Sequence, residues 1–509
     1  MFFAPDRTER LHCTGRSIYA PTKTPALALK IPAMLLARIL IALCLVMVTT
    51  VSAVAQPLPP QVQQLLTQYR IPPEGISVLV QPVTGGTPLL AHGADVPRNP
   101  ASAIKLVTTF AALDILGPAH TWRTELYTVA PVIDGTLRGD LYIRGGGDPF
   151  LVAEQVWKMT GALRRSGIQR IQGDLVFDLT RFDIPREDPG AFDGQPFRAY
   201  NQPPHALLMN FNAISFQFRS AEDGRSVQVY LDPPLADLRL ENRLRLGDRA
   251  CNTFPQGVGF HVAGEQPAPR VLLDGEFPRG CQNVSLLRTA LPPEDYAYSL
   301  FKTLWGQWGG TLDGHWRLGR VPEGAGRPRV VHQSPPLGDL IRPVNKHSNN
   351  VMTRHMKLAL GAQMYGEPAT LDKGYAAIRA VLERQGIATQ GLILDNAAGL
   401  SRTNRITAQQ LASVLLVARQ RPFMPEYASS LALSGMDGTL RRRFVGQPEA
   451  GRMHLKTGYI NHVSSVAGYV RTAGDRDLVV VVLINHPNAH RWAGLEIQDA
   501  VLRWAYRQG

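Results

Sequence analysis

The sequence predicts an α/β (α+β) fold in which one domain is assembled from both ends of the chain. Helix and strand patterns alternate before residue 126 and return after residue 335, while the stretch between them is short apolar runs broken by Gly, Asp and Pro. Residues 56–126 and 335–509 are therefore read as one domain, and 127–334 as an inserted, mostly β region. With 509 residues, 44% apolar and 19% charged, the chain has globular composition, which excludes a disordered, collagen-like or polytopic membrane protein.

Residues 1–55 are read as a leader. Arg38 precedes the apolar run 39–48, and Ala53-Val54-Ala55 then gives an A-x-A site with a cut before Gln56. The run is shorter than the ~20 residues that span a bilayer, so no membrane anchor is expected after cleavage. Met34 is a more economical start, which makes the segment before it an N-terminal extension. The expected address is the periplasm.

Without the leader the chain holds 48 basic and 39 acidic residues, a balance of +9, which suits polyanionic surroundings such as an acidic wall polymer. No Lys/Arg run carries interleaved aromatics, so nucleic acid is not the expected partner. Cys13 and Cys44 leave with the leader. Cys251 and Cys281, 30 residues apart, are expected to pair in an oxidising compartment. They are too few for a zinc site, and no metal or other cofactor is expected.

Gln56–Ile71 has helical spacing at Val62, Leu65 and Leu66. A strand from Gly75 and a second from Thr87 form a hairpin about Gly85-Gly86. Asn99-Pro100 then opens a helix, with Ile104, Val107, Ala111 and Ile115 on one face and Gly117-Pro118 as its stop. In the inserted region one helix is expected, about Leu151–Gly167. Helical patterns return after Pro343, through 356–364, 373–385 and 407–419. Strands follow at 453–457, 465–472 and 478–485, and a closing helix runs from Trp492 to Tyr506.

Three short motifs stand in order: Ser102-Ala103-Ile104-Lys105, Ser348-Asn349-Asn350 and Lys456-Thr457-Gly458. They are S-x-x-K, S-x-N and K-T-G, the signature shared by class A β-lactamases and penicillin-binding proteins. Each has fitting local structure: a helix start, a loop before a helix, and a strand. Ser102 and Lys105, three apart, share one helix face. A serine hydroxyl becomes a nucleophile when a base takes its proton, and a desolvated lysine can be that base. Ser102 is thus the expected nucleophile and Lys105 its base. Ser348 is expected to relay the proton to the leaving amine, and Asn350 to hold Lys105 and the substrate amide. Lys456 and Thr457 are expected to dock a substrate carboxylate. The N–H groups of Ser102 and of Tyr459, just after Gly458, are the expected oxyanion donors.

Together these strings resemble the class C low-molecular-mass penicillin-binding proteins, the D-alanyl-D-alanine carboxypeptidase/endopeptidases of peptidase family S13. Further strings similar to that family are Arg144-Gly-Gly-Gly-Asp148, Asp395-Asn-Ala-Ala-Gly-Leu-Ser401-Arg and Gly435-Met-Asp-Gly-Thr-Leu440. The 246 positions from Ser102 to Ser348 match a family that inserts two extra domains there. The resemblance implies a transpeptidase-like domain of the penicillin-binding-protein/serine β-lactamase type, with mostly β domains inserted between S-x-x-K and S-x-N. It implies an acyl-enzyme on Ser102, peptidoglycan peptides ending in D-Ala-D-Ala and cross-linked muropeptides as substrates, and covalent capture of β-lactams. It also implies an aromatic and an acid from the insert beside the substrate's distal amine. Tyr200 matches the aromatic and Asp193 is the nearest acid, although their spacing is not the family's. Asp148 is read as a turn residue. Two departures stand out: Asn349 replaces the usual Asp, and Tyr459 replaces a small residue, which narrows the carboxylate end of the pocket.

Two other classes fit part of the pattern. A serine β-lactamase needs fast deacylation, and no motif for a dedicated deacylation glutamate is present. A silent wall-binding scaffold has no use for Ser102, Lys105 and Lys456 together.

Overall fold

The computed structural model describes residues 57–222, 224–263, 269–490 and 492–509; the leader, with Met34, Cys13, Cys44 and the expected cut, lies outside them. Before the insert come α1 (Pro60–Gln68), β1 (Ile76–Pro82), β2 (Leu90–His92) and α2 (Lys105–Leu116). After it come α3 (Leu337–His347), α4 (Asn350–Tyr365), α5 (Leu371–Arg384) and α6 (Ala408–Arg419). The strands β3 (Ala432–Leu433), β4 (Met453–Ile460), β5 (Val463–Arg471) and β6 (Asp477–Asn485) follow, and α7 (Trp492–Tyr506) closes the chain.

The two chain ends meet in one antiparallel sheet, in the order β3-β4-β5-β6-β1-β2. Its central strand β6 is apolar from Leu478 to Ile484 without alternation, because both of its faces are covered. Val479, Val481 and Leu483 point into a core with Phe110, Met356 and Leu411 from the helices. Leu478, Val480, Val482 and Ile484 point the other way, onto Val62 and Leu66 of α1 and Ile497 and Val501 of α7. The period of two in β6 thus serves two cores at once.

The strands from Arg123 to Gln333 make four further sheets, and the first of them, Arg123–Thr128, crosses the expected boundary at 126/127, so the insert's sheets begin a few residues earlier than the sequence suggests. A five-stranded and a four-stranded sheet take strands from both of its ends, and the strands of 214–288 form two more sheets nested between them. The insert has its own core, which includes Leu126, Phe177, Phe216, Phe277 and Trp305.

Two local expectations are corrected. The helix before S-x-N does not wait for Pro343: α3 starts at Leu337 and runs through the proline. Burial of Leu337, Leu340, Ile341 and Val344 on one face outweighs the lost hydrogen bond. Besides the expected helix at Ala153–Arg165, the insert holds a single turn at Phe254–Gly257 and another long helix, Pro293–Gln307. Its buried Tyr296, Ala297, Leu300, Phe301, Leu304 and Trp305 are spaced for a helix, although its aromatic residues favour strands.

Cys251 and Cys281 form a disulfide with Cα atoms 5.2 Å apart. Both lie in the insert, and Cys281 is part of its core. Closing a loop of this length stabilises by about 3.6 kcal/mol on the chain-entropy model. Reduction is expected to lower the melting temperature while leaving acylation by penicillin largely intact. An unchanged melt, or free thiols titrating in the native protein, would show that the bridge does not form.

Candidate active site

Ser102 does not sit inside the first turn of an α-helix, as its sequence context suggests. It lies in a 3-10 turn, Ala101–Ile104, that runs into α2. The turn is fixed from behind. Asn99 Oδ1 accepts from the Ala101 N–H at 2.9 Å, and the Asn485 side chain holds the Asn99 backbone at both ends, its Oδ1 accepting from the Asn99 N–H at 2.7 Å and its Nδ2 donating to the Asn99 carbonyl at 2.9 Å. The Ser465 hydroxyl donates to the Pro100 carbonyl at 2.5 Å. These bonds tie the turn to β5 and β6 and hold Ala101 at a positive φ of 43°, a costly conformation for a residue with a side chain.

Two glycines let the backbone close in on this turn from either side. A Cβ on Gly458 would stand 2.5 Å from the Pro100 oxygen and 2.9 Å from the Ala103 nitrogen. A Cβ on Gly399, whose φ is +91°, would stand 2.7 Å from the Ser102 nitrogen. The glycine of K-T-G is therefore a close-approach position that brings strand β4 against the serine's turn.

Lys105 is wholly buried, and its Nζ has three oxygen neighbours. It lies 3.1 Å from Ser102 Oγ and 2.7 Å from Asn350 Oδ1, and it also bonds the Ala398 carbonyl. Burial, with repulsion from Lys456 added, holds its pKa well below the ordinary lysine value. A neutral amine has two N–H bonds and one lone pair. The Ala398 carbonyl can only accept, and Asn350 presents its oxygen to Lys105 because its Nδ2 donates to the Tyr200 carbonyl at 3.2 Å. Those two acceptors use both N–H bonds, and the lone pair is left facing Ser102 Oγ.

Ser348 ends α3 in the left-handed conformation, φ 59°, and Asn349 caps α4 by accepting from the Met352 N–H. This break between two helices presents Ser348 to β4 and puts Asn350 at the first position of α4. Lys456, also fully buried, donates to Ser348 Oγ at 3.0 Å and to the Thr457 carbonyl at 2.7 Å. Burial brings its pKa down to about 7. Thr457 Oγ1 bonds Thr439 Oγ1 at 2.8 Å, and the Tyr459 side chain is half exposed.

The insert reaches this site through residues 192–201. The Tyr200 carbonyl accepts from Asn350, and the Tyr200 hydroxyl donates to Asp193 Oδ2 at 2.7 Å. Burial, reinforced by Asp193, pushes the phenol up to about 12, so it stays a donor. Phe192 packs on Ala101, Ile460 and Val463, with the Arg402 guanidinium over its ring at 4.7 Å. Asp148 belongs elsewhere: it is buried, and its Oδ1 accepts from the Phe150 N–H at 2.8 Å in a turn.

Four contributions were not assigned from the sequence. The Ala398 carbonyl and the glycine at 399 come from the Asp395–Arg402 string, and Thr439 from the Gly435–Leu440 string; both strings had been noticed without a role. Phe192 carries no local signal, since its partners are far away in sequence.

The comparisons with known proteins bear on the family and the fold. The family model described as D-Ala-D-Ala carboxypeptidase 3 (S13) matches residues 58–508. A D-alanyl-D-alanine carboxypeptidase of Actinomadura sp. (strain R39) is 30% identical over 444 residues, 83% of this chain and 80% of the relative. The crystal structure of penicillin binding protein 4 (dacB) from Haemophilus influenzae has the same fold, with a TM-score of 0.73 at 23% identity over 88% of this chain and 99% of that one. A second structure of that protein, complexed with a β-lactam, gives a TM-score of 0.69 at 22% identity, over 88% of this chain and 100% of that one. The chain belongs to the D-Ala-D-Ala carboxypeptidase 3 (S13) family and is a serine-type D-Ala-D-Ala carboxypeptidase.

Proposed function

We propose that this reaction runs through an acyl-enzyme on Ser102, with Lys105 as its base. The Lys105 lone pair takes the hydroxyl proton, and Ser102 Oγ attacks the carbonyl of the penultimate D-alanine. The resulting oxyanion is held by the N–H groups of Ser102 and Tyr459. Ser348, bonded to Lys456, relays the proton that Lys105 took from Ser102 to the departing amine, which returns Lys105 to its neutral form. D-alanine, or the amine of a cross-bridge, leaves, and water then hydrolyses the ester and restores Ser102. The observation that carries this reading is the set of three oxygens around Lys105 Nζ, which leaves a neutral amine only one way to face the serine.

In the same reading Lys456 and Thr457 hold the terminal carboxylate, Asn350 the substrate amide, and Tyr200 with Asp193 the acyl side of the cleft. β-Lactams acylate Ser102 because they present a strained amide next to a carboxylate. Residues 56–126 and 335–509 form the catalytic domain and 127–334 the inserted domains. The protein acts in the periplasm with Gln56 as its first residue. Among the described residues no helix is long and apolar enough to cross a membrane.

The test is mass spectrometry of isolated muropeptides after incubation with protein purified from the periplasm. Loss of one D-alanine from pentapeptides, or cleavage of cross-linked dimers, is the expected result. The same sample should show Gln56 as the N-terminal residue. Unchanged muropeptides would overturn the substrate assignment, and a retained leader the address.

A further inference from the structure

Lys346 stands two residues before Ser348, in the last turn of α3, and the reaction above gives it no role. Its side chain is only 12% exposed. Its Nζ donates to the Leu431 carbonyl at 2.9 Å and to Asp437 Oδ2 at 2.5 Å. Asp437 Oδ1 in turn accepts from the Leu433 N–H at 2.8 Å. Gly438 follows at a φ of +55°, and a Cβ there would stand 2.7 Å from the Lys346 carbonyl oxygen. The segment 431–438 therefore holds both the side chain and the backbone of Lys346.

That segment runs beside β4. Ala432 pairs with Leu455 and Leu433 with His454, so the register places Leu431 opposite Lys456. Lys346 thus bonds the carbonyl of the residue beside Lys456, while Ser348 Oγ meets the Lys456 ammonium itself at 3.0 Å. The end of α3 is attached to the sheet at two points, two residues apart in the chain. Left to itself this end is a weak support. A helix C-terminus lacks its last intrahelical bonds, Pro343 removes one N–H from the helix, and Ser348 stands in the left-handed region, which is costly for a residue with a Cβ. A hydroxyl on such an end keeps one position only if something outside the helix fixes it. The charge-assisted bond from Lys346 to Asp437 supplies that tie.

We propose that Lys346, paired with Asp437, is a positioning residue for the proton relay: it holds the Ser348 hydroxyl between Lys456 and the departing amine. This inference rests on the relay reading above, in which Ser348 hands the proton to that amine. The pair acts through Ser348 and not on the substrate. A relaying hydroxyl must stay within hydrogen-bond reach of the group that gives the proton and of the group that takes it, so a loosened Ser348 costs rate wherever the leaving group needs a proton.

The experiment compares two substrates with the same acyl part: a peptide ending in D-Ala-D-Ala, whose leaving amine must be protonated, and the matching thioester, whose thiolate leaves without a proton. Lys346→Met keeps the apolar stem without the charge and leaves Asp437, 41% exposed, to water. It should lower kcat/KM for the amide by about ten- to hundredfold, and for the thioester by less than about threefold. Asp437→Asn can still accept from Leu433 but turns an N–H towards Lys346, and should shift the ratio the same way. Lys346→Arg should recover part of it, because a guanidinium can still meet the carboxylate. In a Ser348→Ala background, Lys346→Met should cost the amide nothing further. Equal losses for amide and thioester in Lys346→Met and Asp437→Asn, or a loss that persists without Ser348, would make the pair merely structural and overturn the proposal. Each ratio is read within one protein, so a partly misfolded variant does not mimic the result. Ser348→Ala alone tests the relay. If it lowers amide and thioester equally, the relay reading falls and the proposal with it. If it is selective for the amide while Lys346→Met is not, the proposal alone falls.

Discussion

Lys105→Met is expected to slow acylation by penicillin and by D-Ala-D-Ala peptides by about 10² to 10⁴-fold, the usual contribution of a general base. Ser102→Ala is expected to abolish covalent labelling altogether. The Lys105 prediction follows from its surroundings. Its amine is fully buried and pushed towards neutrality by burial and by Lys456, and its two N–H bonds are directed to Asn350 and Ala398. Methionine fills nearly the same volume without a charge to desolvate, so the melting temperature of Lys105→Met should not fall in step with activity. That separates a base from a merely structural lysine. Acylation rates by stopped flow and a thermal melt on the same samples make the measurement. Retention of rate within about threefold in Lys105→Met would remove it as the base, because general-base losses begin at about a hundredfold. Labelling that persists in Ser102→Ala would place the nucleophile elsewhere.

The parts of this site that could be read in the sequence are those whose geometry is local. Ser102 and Lys105, 3.1 Å apart, share a face because three residues make about one turn of either an α- or a 3-10 helix. The apolar run of β6 announces a strand buried on both faces for the same local reason. Contacts set by long chain separation were not legible. Lys456 meets Ser348 across 108 residues, and Tyr200 meets Asn350 across 150. The motifs named the first pair as members of one constellation but could not say that they bond each other. The helix at Pro293–Gln307 and the passage of α3 through Pro343 show burial overruling propensity, which a single sequence shows only weakly. The 3-10 turn at Ser102 is of another kind. It is imposed by Asn485 and Ser465, nearly four hundred residues downstream, so no local pattern around Asn99-Pro100 encodes it.

Lys456→Ala is expected to lower acylation efficiency for a D-Ala-terminated peptide by about ten- to hundredfold, since a charge-assisted hydrogen bond contributes roughly 1.5–3 kcal/mol. An ester lacking the free carboxylate should lose much less. The same lysine should also set the alkaline limb of the pH profile. Burial leaves Lys456 with a pKa of about 7 in the free enzyme, so it is charged below that pH and neutral above it. kcat/KM reports the free enzyme, and for the carboxylate substrate it should fall as pH rises through about 7. Lys105 has the opposite requirement. It must be neutral, so activity should fall on the acid side, below its own depressed pKa. The two limbs together give a bell that belongs to the coupled pair of lysines. Lys456→Arg carries a guanidinium that stays charged across this range and should flatten the alkaline limb, while recovering only part of the rate because a planar fork does not replace a compact ammonium against Ser348. Measuring kcat/KM from pH 5 to 9 for both substrates on all three proteins decides the matter. Equal losses for peptide and ester in Lys456→Ala, with an alkaline limb that survives in Lys456→Arg, would assign Lys456 to proton transfer through Ser348 and remove it as the carboxylate anchor.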